Sequence, residues 1–169
     1  ELAIIVGMVL GGTNFALHWR AVTGDRLAYW RDPEFRTYLK LLIGASVLVI
    51  GLLWLDAGLG ITEAIRAGVF NVVAIATSTG YGSAQGAGSS GDFALWVPAA
   101  QLVLLFLMVV GSSSGSTAGG LKVMRLQILL AHSIRSVRRS QQPHAVMPVK
   151  HGKAAVNENI VRRMTGFFL

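Results

Sequence analysis

The residues best suited to binding an ion lie at 77–82, where the chain reads Thr-Ser-Thr-Gly-Tyr-Gly. Glycine permits backbone dihedrals that other residue types resist, so successive carbonyl oxygens in such a run can point toward one axis. Carbonyl oxygens arranged in this way can replace the water around a dehydrated alkali cation. The run therefore predicts cation coordination by the main chain, with Thr77, Ser78, Thr79, Gly80 and Tyr81 as the candidate ligands and no covalent chemistry.

The composition predicts a helical membrane protein. The chain has 169 residues, of which 53% are hydrophobic and only 14% are charged, too few charges to cover a soluble domain. Three apolar blocks, at residues 2–17, 41–61 and 93–111, approach the roughly 20 residues that a spanning helix needs. The chain opens on Glu1 inside one apolar run and stops as another begins, so we expect an internal piece of a longer, multi-pass protein.

The net charge of +7 has its origin in the loops beside the apolar blocks. Basic residues concentrate in segments 20–40 and 135–163, and the positive-inside bias predicts that both segments face the cytoplasm. Nucleic-acid binding is therefore not expected, and the partner implied by the composition is membrane lipid. The chain contains no cysteine, which excludes thiolate metal sites within it.

Topology predicts that residues 61–76 enter and leave the membrane on the same side. Two cytoplasmic segments must be separated by an even number of crossings, and a full crossing here would make the number odd. The uncharged part, residues 67–76, measures about 15 Å as a helix, half of a bilayer core. We therefore predict an outer helix, a re-entrant pore helix, a filter at 77–82 and an inner helix (M1-P-M2).

Helix-end signals support these elements. We predict that Thr62 caps the short helix and that Glu63 lies in its first turn, near the positive end of the dipole. The other end of the dipole directs about half a negative elementary charge at residues 77–82, which favours a cation. Asp32 followed by Pro33 predicts the cap and first position of the helix that leads into the second apolar block.

The third apolar block must be interrupted. A continuous helix from Trp96 to Arg139 would measure about 66 Å, more than twice the hydrocarbon thickness. Residues 111–120 read Gly-Ser-Ser-Ser-Gly-Ser-Thr-Ala-Gly-Gly, a composition that destabilises a helix. We predict an intramembrane loop below the filter, with candidate gate residues Gly111, Gly115, Gly119, Gly120 and Lys122.

Two other interpretations of this segment are considered. Glycines at four-residue spacing match the small-xxx-small pattern of closely packed membrane helices. A phosphate-binding P-loop fails on spacing, because Leu121 separates Gly120 from Lys122 and no preceding strand is evident. For Lys122, snorkelling at the inner interface competes with two functional roles: a positive charge near the inner mouth, or a contact that holds the loop through its carbonyls.

The sequence resembles the Trk/Ktr/HKT superfamily of potassium transporters, most closely its bacterial TrkH-like membrane subunits. Three stretches carry the resemblance: residues 11–15 with 29–36 behind them, residues 76–81, and residues 111–122. Residues 78–82 are also similar to the TVGYG loop of potassium channels, with Ser for the first Thr and Thr for Val. The third stretch is the most specific, because simple potassium channels have no such insertion in the inner helix.

The resemblance implies a pore built from four linked helix-pore-helix repeats, with Gly80 as the key filter glycine of one repeat and residues 111–120 as the gate loop. It implies these segments: 1–19, inner helix of a preceding repeat; 20–37, cytoplasmic linker; 38–139, one complete repeat; 140–156, cytoplasmic linker; 157–169, start of the next repeat. It also implies a homodimer of the full-length subunit in the bacterial inner membrane and a cytoplasmic nucleotide-binding regulatory subunit.

We expect a potassium-translocating subunit of an uptake system, not an enzyme, with potassium as the substrate and no cofactor. The same filter would serve a passive channel or an ion-coupled symporter, so the sequence does not separate these. The alternative is a non-conducting membrane assembly or receptor subunit, in which the glycine runs only pack helices together.

Overall fold

The computed structural model describes residues 1–86, 88–141, 150–151 and 154–155. Its helices are α1 (Leu2–Gly11), α2 (Phe15–Val22), α3 (Ala28–Arg31), α4 (Pro33–Leu55), α5 (Ile61–Ala76), α6 (Pro98–Val109) and α7 (Val123–Gln141), with a 3-10 turn at Phe93–Leu95. Two short strands, β1 (Lys150–His151) and β2 (Ala154–Ala155), pair antiparallel after α7. Most of the predicted segments 140–156 and 157–169 lies outside the described residues.

The first apolar block is not the single helix that the sequence predicted. α1 and α2 are bent by 103° at the break between them, so the segment predicted as the inner helix of a preceding repeat is divided at residues 12–14. The bend has a local cause, because the Asn14 side chain caps α2 by accepting the Ala16 N–H at 2.9 Å. Asparagine is among the best N-cap residues, so a new helix begins here instead of the old one continuing.

The helix α4 contains 23 residues and is, among the described residues, the one unbroken helix long and apolar enough to cross a membrane. It begins earlier than the predicted repeat boundary at residue 38. Asp32 accepts the Phe35 N–H at 2.7 Å and Pro33 occupies the first turn, which confirms the predicted cap. The end of the predicted linker at 20–37 is therefore already helical.

The helix α5 occupies residues 61–76, the range predicted for the short helix. The predicted cap was wrong: Gly60 is the N-cap, and no side chain caps this end. Because the helix already begins at Ile61, Thr62 lies inside the first turn and not before it. Glu63 does lie in the first turn, as predicted.

Helices α4, α5 and α6 pack around one another, mainly through small and branched side chains. The shared cluster contains Tyr38, Leu42, Val49, Leu53, Ala64, Ala67, Val72, Ala76, Ala100, Leu104 and Leu107. Lipid tails are as apolar as these side chains, so close van der Waals contact must hold such helices together. Gly68 illustrates this, because a Cβ atom there would lie 3.0 Å from the Ile50 side chain.

The predicted interruption of the third block is present. α6 ends at Val109, α7 begins at Val123, and residues 110–122, hereafter the inner loop, are not helical. Two backbone hydrogen bonds close its base: Gly111 N–H to the Leu121 carbonyl at 2.9 Å, and Leu121 N–H to the Val109 carbonyl at 2.8 Å. α6 alone has only 12 residues, about 18 Å of helix, which is shorter than the hydrocarbon core of a bilayer.

Candidate functional site

The predicted filter residues begin where α5 ends, and the chain turns back over the end of that helix. The N–H groups of Thr79 and Gly80 both donate to the Ala74 carbonyl, at 2.9 and 3.1 Å. Ser78 and Gly80 have φ values of +56° and +73°. Left-handed backbone of this kind favours glycine and costs other residues about 1–2 kcal/mol, so this turn explains a glycine at position 80.

Hydroxyl groups at the start of the run hold its backbone. Thr77 is buried and donates to the Val73 carbonyl at 2.8 Å, and its Oγ1 lies 2.8 Å from that of Thr79. Residues 78–81 are exposed in this chain. The side chains near Thr77 therefore bond to the helix end and to each other, which leaves the exposed main chain of the run available to a ligand.

The inner loop contacts the filter run directly. The buried Ser112 hydroxyl donates to the Ala76 carbonyl at 3.0 Å, and the Gly119 N–H donates to the Ser78 hydroxyl at 3.1 Å. The first bond binds one of the carbonyls that the last turn of a helix leaves without an intrahelical partner. The structure thus brings together the two regions that the sequence selected. The residues joined by these two hydrogen bonds are 36 and 41 positions apart in the chain.

The same loop also binds the bend between α1 and α2. The Ser113 N–H donates to the Gly12 carbonyl at 3.1 Å, and the Thr117 N–H and hydroxyl both donate to the Gly11 carbonyl, at 3.3 and 3.1 Å. In return, the Phe15 N–H donates to the Gly115 carbonyl at 3.2 Å. Irregular backbone at membrane depth needs such partners.

The loop glycines serve a folded loop and not a helix face. A Cβ atom on Gly111 would overlap the Gly119 carbonyl oxygen, and Gly115 and Gly120 have φ values of +70° and +71°. Because this segment is not helical, its four-residue glycine spacing does not form the packing face of a helix. The P-loop interpretation also fails, since the helix α6 and not a strand precedes the segment.

Lys122 lies at the end of the loop and points back into it. Its ammonium group contacts the Ala118 carbonyl and lies 3.4 Å from the Ser116 hydroxyl. Of the roles considered from the sequence, this geometry matches the one in which Lys122 holds the loop through its carbonyls.

A cleft of about 350 Å³ lies between α1, the filter run and the inner loop. Its lining combines α1 with polar groups of the other two regions: Ile4, Gly7, Met8, Gly11, Thr77, Thr79, Tyr81 and Thr117. The run and the inner loop therefore line the same cleft.

Sequence reasoning missed one residue of this site, Glu34. Only 5% of its surface is exposed, and its Oε1 accepts N–H groups from Ser114 at 2.6 Å and Met124 at 3.1 Å. An acidic residue two positions after Asp32 was read only as part of a motif. The signal that could have found it is a carboxylate close to an apolar span, since buried carboxylates need bonded partners.

Asn71 makes structural hydrogen bonds. It is fully buried in α5, and its amide nitrogen lies 2.8 Å from the Ser83 hydroxyl and 3.3 Å from the Gly91 carbonyl. Both partners follow the filter run in the chain. Asn71 therefore ties the segment after the run to the helix before it.

The fold and site define a helical protein of the membrane type, in which the helix α5 is followed by an exposed run at 78–81 and the loop of a broken helix is hydrogen-bonded to that run. The sequence model of one protein family, described as "TrkH: Cation transport protein", matches residues 1–169. The chain belongs to this family. The resemblance recognised from the three motifs is thereby confirmed.

Individual relatives agree with the family assignment. The chain is 36% identical to the "Trk system potassium uptake protein TrkH" of Halomonas elongata and 32% identical to that of Escherichia coli K12, over 99% and 98% of its length. It spans only 34% and 33% of those proteins. The crystal structure of the potassium transporter TrkH from Vibrio parahaemolyticus superposes with a TM-score of 0.88 at 29% identity, covering 99% of this chain and 35% of that one.

Proposed function

We propose that the full-length protein translocates potassium across the bacterial cytoplasmic membrane, with Thr77, Ser78, Thr79, Gly80 and Tyr81 supplying part of its selectivity filter. The observation that carries the proposal is the exposed left-handed turn at Ser78 and Gly80, which directly follows the helix α5. The relatives named as potassium uptake proteins support the choice of ion.

The proposed mechanism uses the backbone only. Main-chain carbonyls replace the hydration shell of the ion, and the C-terminal end of α5 adds about half a negative charge directed at the same place. Neither contribution involves bond breaking, so we propose transport without catalysis and with potassium as substrate. One repeat supplies a quarter of such a filter, so the remaining repeats must complete the pore.

We propose further that the inner loop is the gate. In its present position it is bonded to the filter run through Ser78 and to the α1–α2 bend through Gly11 and Gly12. Moving the loop aside breaks these bonds, and the freed backbone groups then need water. A water-filled pore provides that water, so loop displacement and ion permeation favour each other.

The assembly that we propose follows the family resemblance. The full-length subunit forms a homodimer and binds a cytoplasmic nucleotide-binding regulatory subunit. The helix α7 follows the inner loop directly, and we propose that this regulator acts on the loop through it. The basic residues of α7 are Arg125, Arg135, Arg138 and Arg139.

The filter proposal is tested by Gly80→Ser in the full-length protein, with Gly58→Ser as the matched control. Gly80 and Gly58 both have left-handed backbone and no heavy atom within 4 Å of an added Cβ, so substitution at either position acts through conformation and not through crowding. We expect Gly80→Ser to lose preference for rubidium over sodium uptake, whereas Gly58→Ser, outside the filter run, keeps it. Unchanged selectivity in Gly80→Ser would remove the run from the ion path.

The gate proposal is tested by deleting residues 116–118 from the inner loop. Basal rubidium uptake should rise, while the preference for rubidium over sodium remains. Uptake that stays at the level of the unmodified protein would count against a gate here, and a wild-type protein without any flux would favour the non-conducting alternative.

The proposed re-entrant path is tested by cysteine labelling from each side of the membrane. Ile61→Cys and Tyr81→Cys should both react with a membrane-impermeant reagent added outside. Reaction from opposite sides would make α5 a full crossing and would overturn the filter assignment.

A further inference from the structure

We propose that Glu34 is a positioning residue whose carboxylate holds the inner loop closed and couples it to the first turn of α7. The inference rests on the proposed function of that loop as a gate. It names the contact that must be released when the loop moves and the helix through which a cytoplasmic signal reaches it.

The geometry joins three elements at one atom. Glu34 lies in the first turn of α4, and its Oε1 accepts the N–H of Ser114 in the inner loop and the N–H of Met124 in α7. These partners are 80 and 90 positions away in sequence. A single carboxylate oxygen of the long helix α4 therefore binds both the first half of the inner loop and the start of α7.

The charge of Glu34 matters as well as its shape. A buried carboxylate is costly unless donors satisfy it, and hydrogen bonds to an ionised acceptor are stronger than neutral ones. Met124 belongs to the first turn of α7, where the helix dipole favours a negative charge. The bonds that Glu34 accepts from Ser114 and Met124 are therefore of the charge-assisted kind.

A second contact keeps α7 beside α4. The Gln127 amide donates to the Pro33 carbonyl at 3.3 Å and contacts the Thr37 hydroxyl. The first two turns of α7 are therefore bonded to the first turns of α4 on either side of Glu34. A shift of α7 relative to α4 cannot occur without stretching the Glu34 bonds, and this gives α7 a direct route to Ser114.

The test uses the full-length protein in liposomes and compares Glu34→Ala and Glu34→Gln with Asp56→Asn. Asp56 is exposed at the opposite end of α4, so its variant removes one negative charge from the same helix without touching the loop. Two quantities are measured: basal rubidium uptake, and the rate at which a thiol reagent modifies Thr117→Cys in a background with no other cysteine.

We expect Glu34→Ala to raise basal uptake about fivefold or more, within the range of typical coupling energies, and to speed modification at Thr117→Cys in parallel. Glu34→Gln should raise both by about twofold, because its amide oxygen still accepts both N–H groups but the charge-assisted part of the bond is lost. Preference for rubidium over sodium should not change in either variant. Asp56→Asn should match the wild type in every measurement.

Wild-type uptake together with wild-type thiol reactivity in a folded Glu34→Ala protein would overturn the proposal. If Glu34→Ala does not fold, Glu34→Gln decides by the same criterion. Failure of the gate itself gives a different result, because the deletion of residues 116–118 then leaves uptake unchanged. A deletion that raises uptake while both Glu34 variants behave as wild type would refute the role of Glu34 alone.

Discussion

Two helical segments are interrupted, one at residues 12–14 and the other at the inner loop. The two interruptions differ in the location of the groups that hydrogen-bond to their backbone. The bend at residues 12–14 is bonded mostly within its own neighbourhood. Gly12 N–H donates to Met8, Thr13 N–H to Leu10, and the Thr13 hydroxyl to Val9, at 2.9, 3.0 and 2.8 Å. Most of the geometry of this bend is therefore local.

The inner loop, in contrast, has hydrogen bonds to several distant elements in addition to those within itself. Its partners outside the loop include Glu34, Ala76, Ser78 and the α1–α2 bend. The conformation of a short interruption with local partners does not depend on the positions of other helices. The conformation of a longer interruption with distant partners changes when those partners move. This difference agrees with the proposal that the inner loop is the gate, whereas the bend at 12–14 only shapes the cleft.

The largest expected effect comes from Gly111→Ala. This substitution adds a Cβ atom at the hydrogen-bonded base of the inner loop. The new Cβ atom would overlap the backbone of Gly119, and backbone cannot rotate away as a side chain can. We expect a loss of about 3 kcal/mol of stability, at the upper end of overpacking costs, measured as a lowered unfolding midpoint of the purified full-length protein.

The matched control for that variant is Gly51→Ala in α4, where nothing lies within 4 Å of the added atom. Alanine is the better helix former by roughly 0.5–1 kcal/mol, so this variant should be no less stable than wild type. Equal midpoints for Gly111→Ala and Gly51→Ala would contradict the tight loop base.

A smaller effect is expected from Gly12→Ala at the bend. Its Cβ atom would meet the Tyr38 hydroxyl and lie 2.9 Å from the Ser112 hydroxyl, and these are side-chain atoms, whereas Gly111→Ala meets backbone. We expect a loss of about 1–2 kcal/mol. The neighbouring Gly11→Ala, whose nearest contact is 3.6 Å away, should stay within about 0.5 kcal/mol of wild type; the reverse order would show that the bend is packed differently.

Ser112→Ala removes the hydrogen bond that joins the loop to the end of α5. Loss of one buried bond of this kind costs about 1 kcal/mol. Because the Ala76 carbonyl directly precedes the filter run, we also expect a measurable fall in rubidium over sodium preference. Ser116→Ala, which loses a bond inside the loop at 2.6 Å, serves as the control and should leave that preference intact.

The smallest effect is expected for Ser78→Gly compared with Ser78→Ala. Both variants remove the hydroxyl that accepts the Gly119 N–H, so both should raise basal uptake equally. Only glycine relaxes the left-handed backbone at this position, which should make Ser78→Gly about 1 kcal/mol more stable than Ser78→Ala. Equal stability of the two variants would mean that the turn is not strained.

The sequence predicted elements whose causes are local. The range of α5 and the interruption at 111–120 followed from apolar length and from clustered glycines. The cap by Asp32 was also readable, because the Asp-Pro pair is a local signal. The bend at 12–14 was local as well, and the Asn14 cap could have revealed it, but the apolar block around it was interpreted as continuous.

The contacts that complete the site were not predictable in this way. The position of Glu34 against Ser114 and Met124 joins residues 80 and 90 apart, and no local pattern indicates such a pairing. The bond between Gly119 and Ser78 is of the same kind. Hydrophobic periodicity gives the helices and their approximate ends, whereas these bonds depend on how the helices are placed against each other.

The hydrogen-bonded base of the inner loop has a mechanical consequence. Because Val109 and Gly111 are bonded to Leu121, the end of α6 and the start of α7 are joined independently of the residues between them. The rest of the inner loop therefore leaves and rejoins the chain at the point where these two helix ends are hydrogen-bonded. If the inner loop opens as proposed, residues 112–120 can move while these two hydrogen bonds stay formed, so opening does not require the two helix ends to separate.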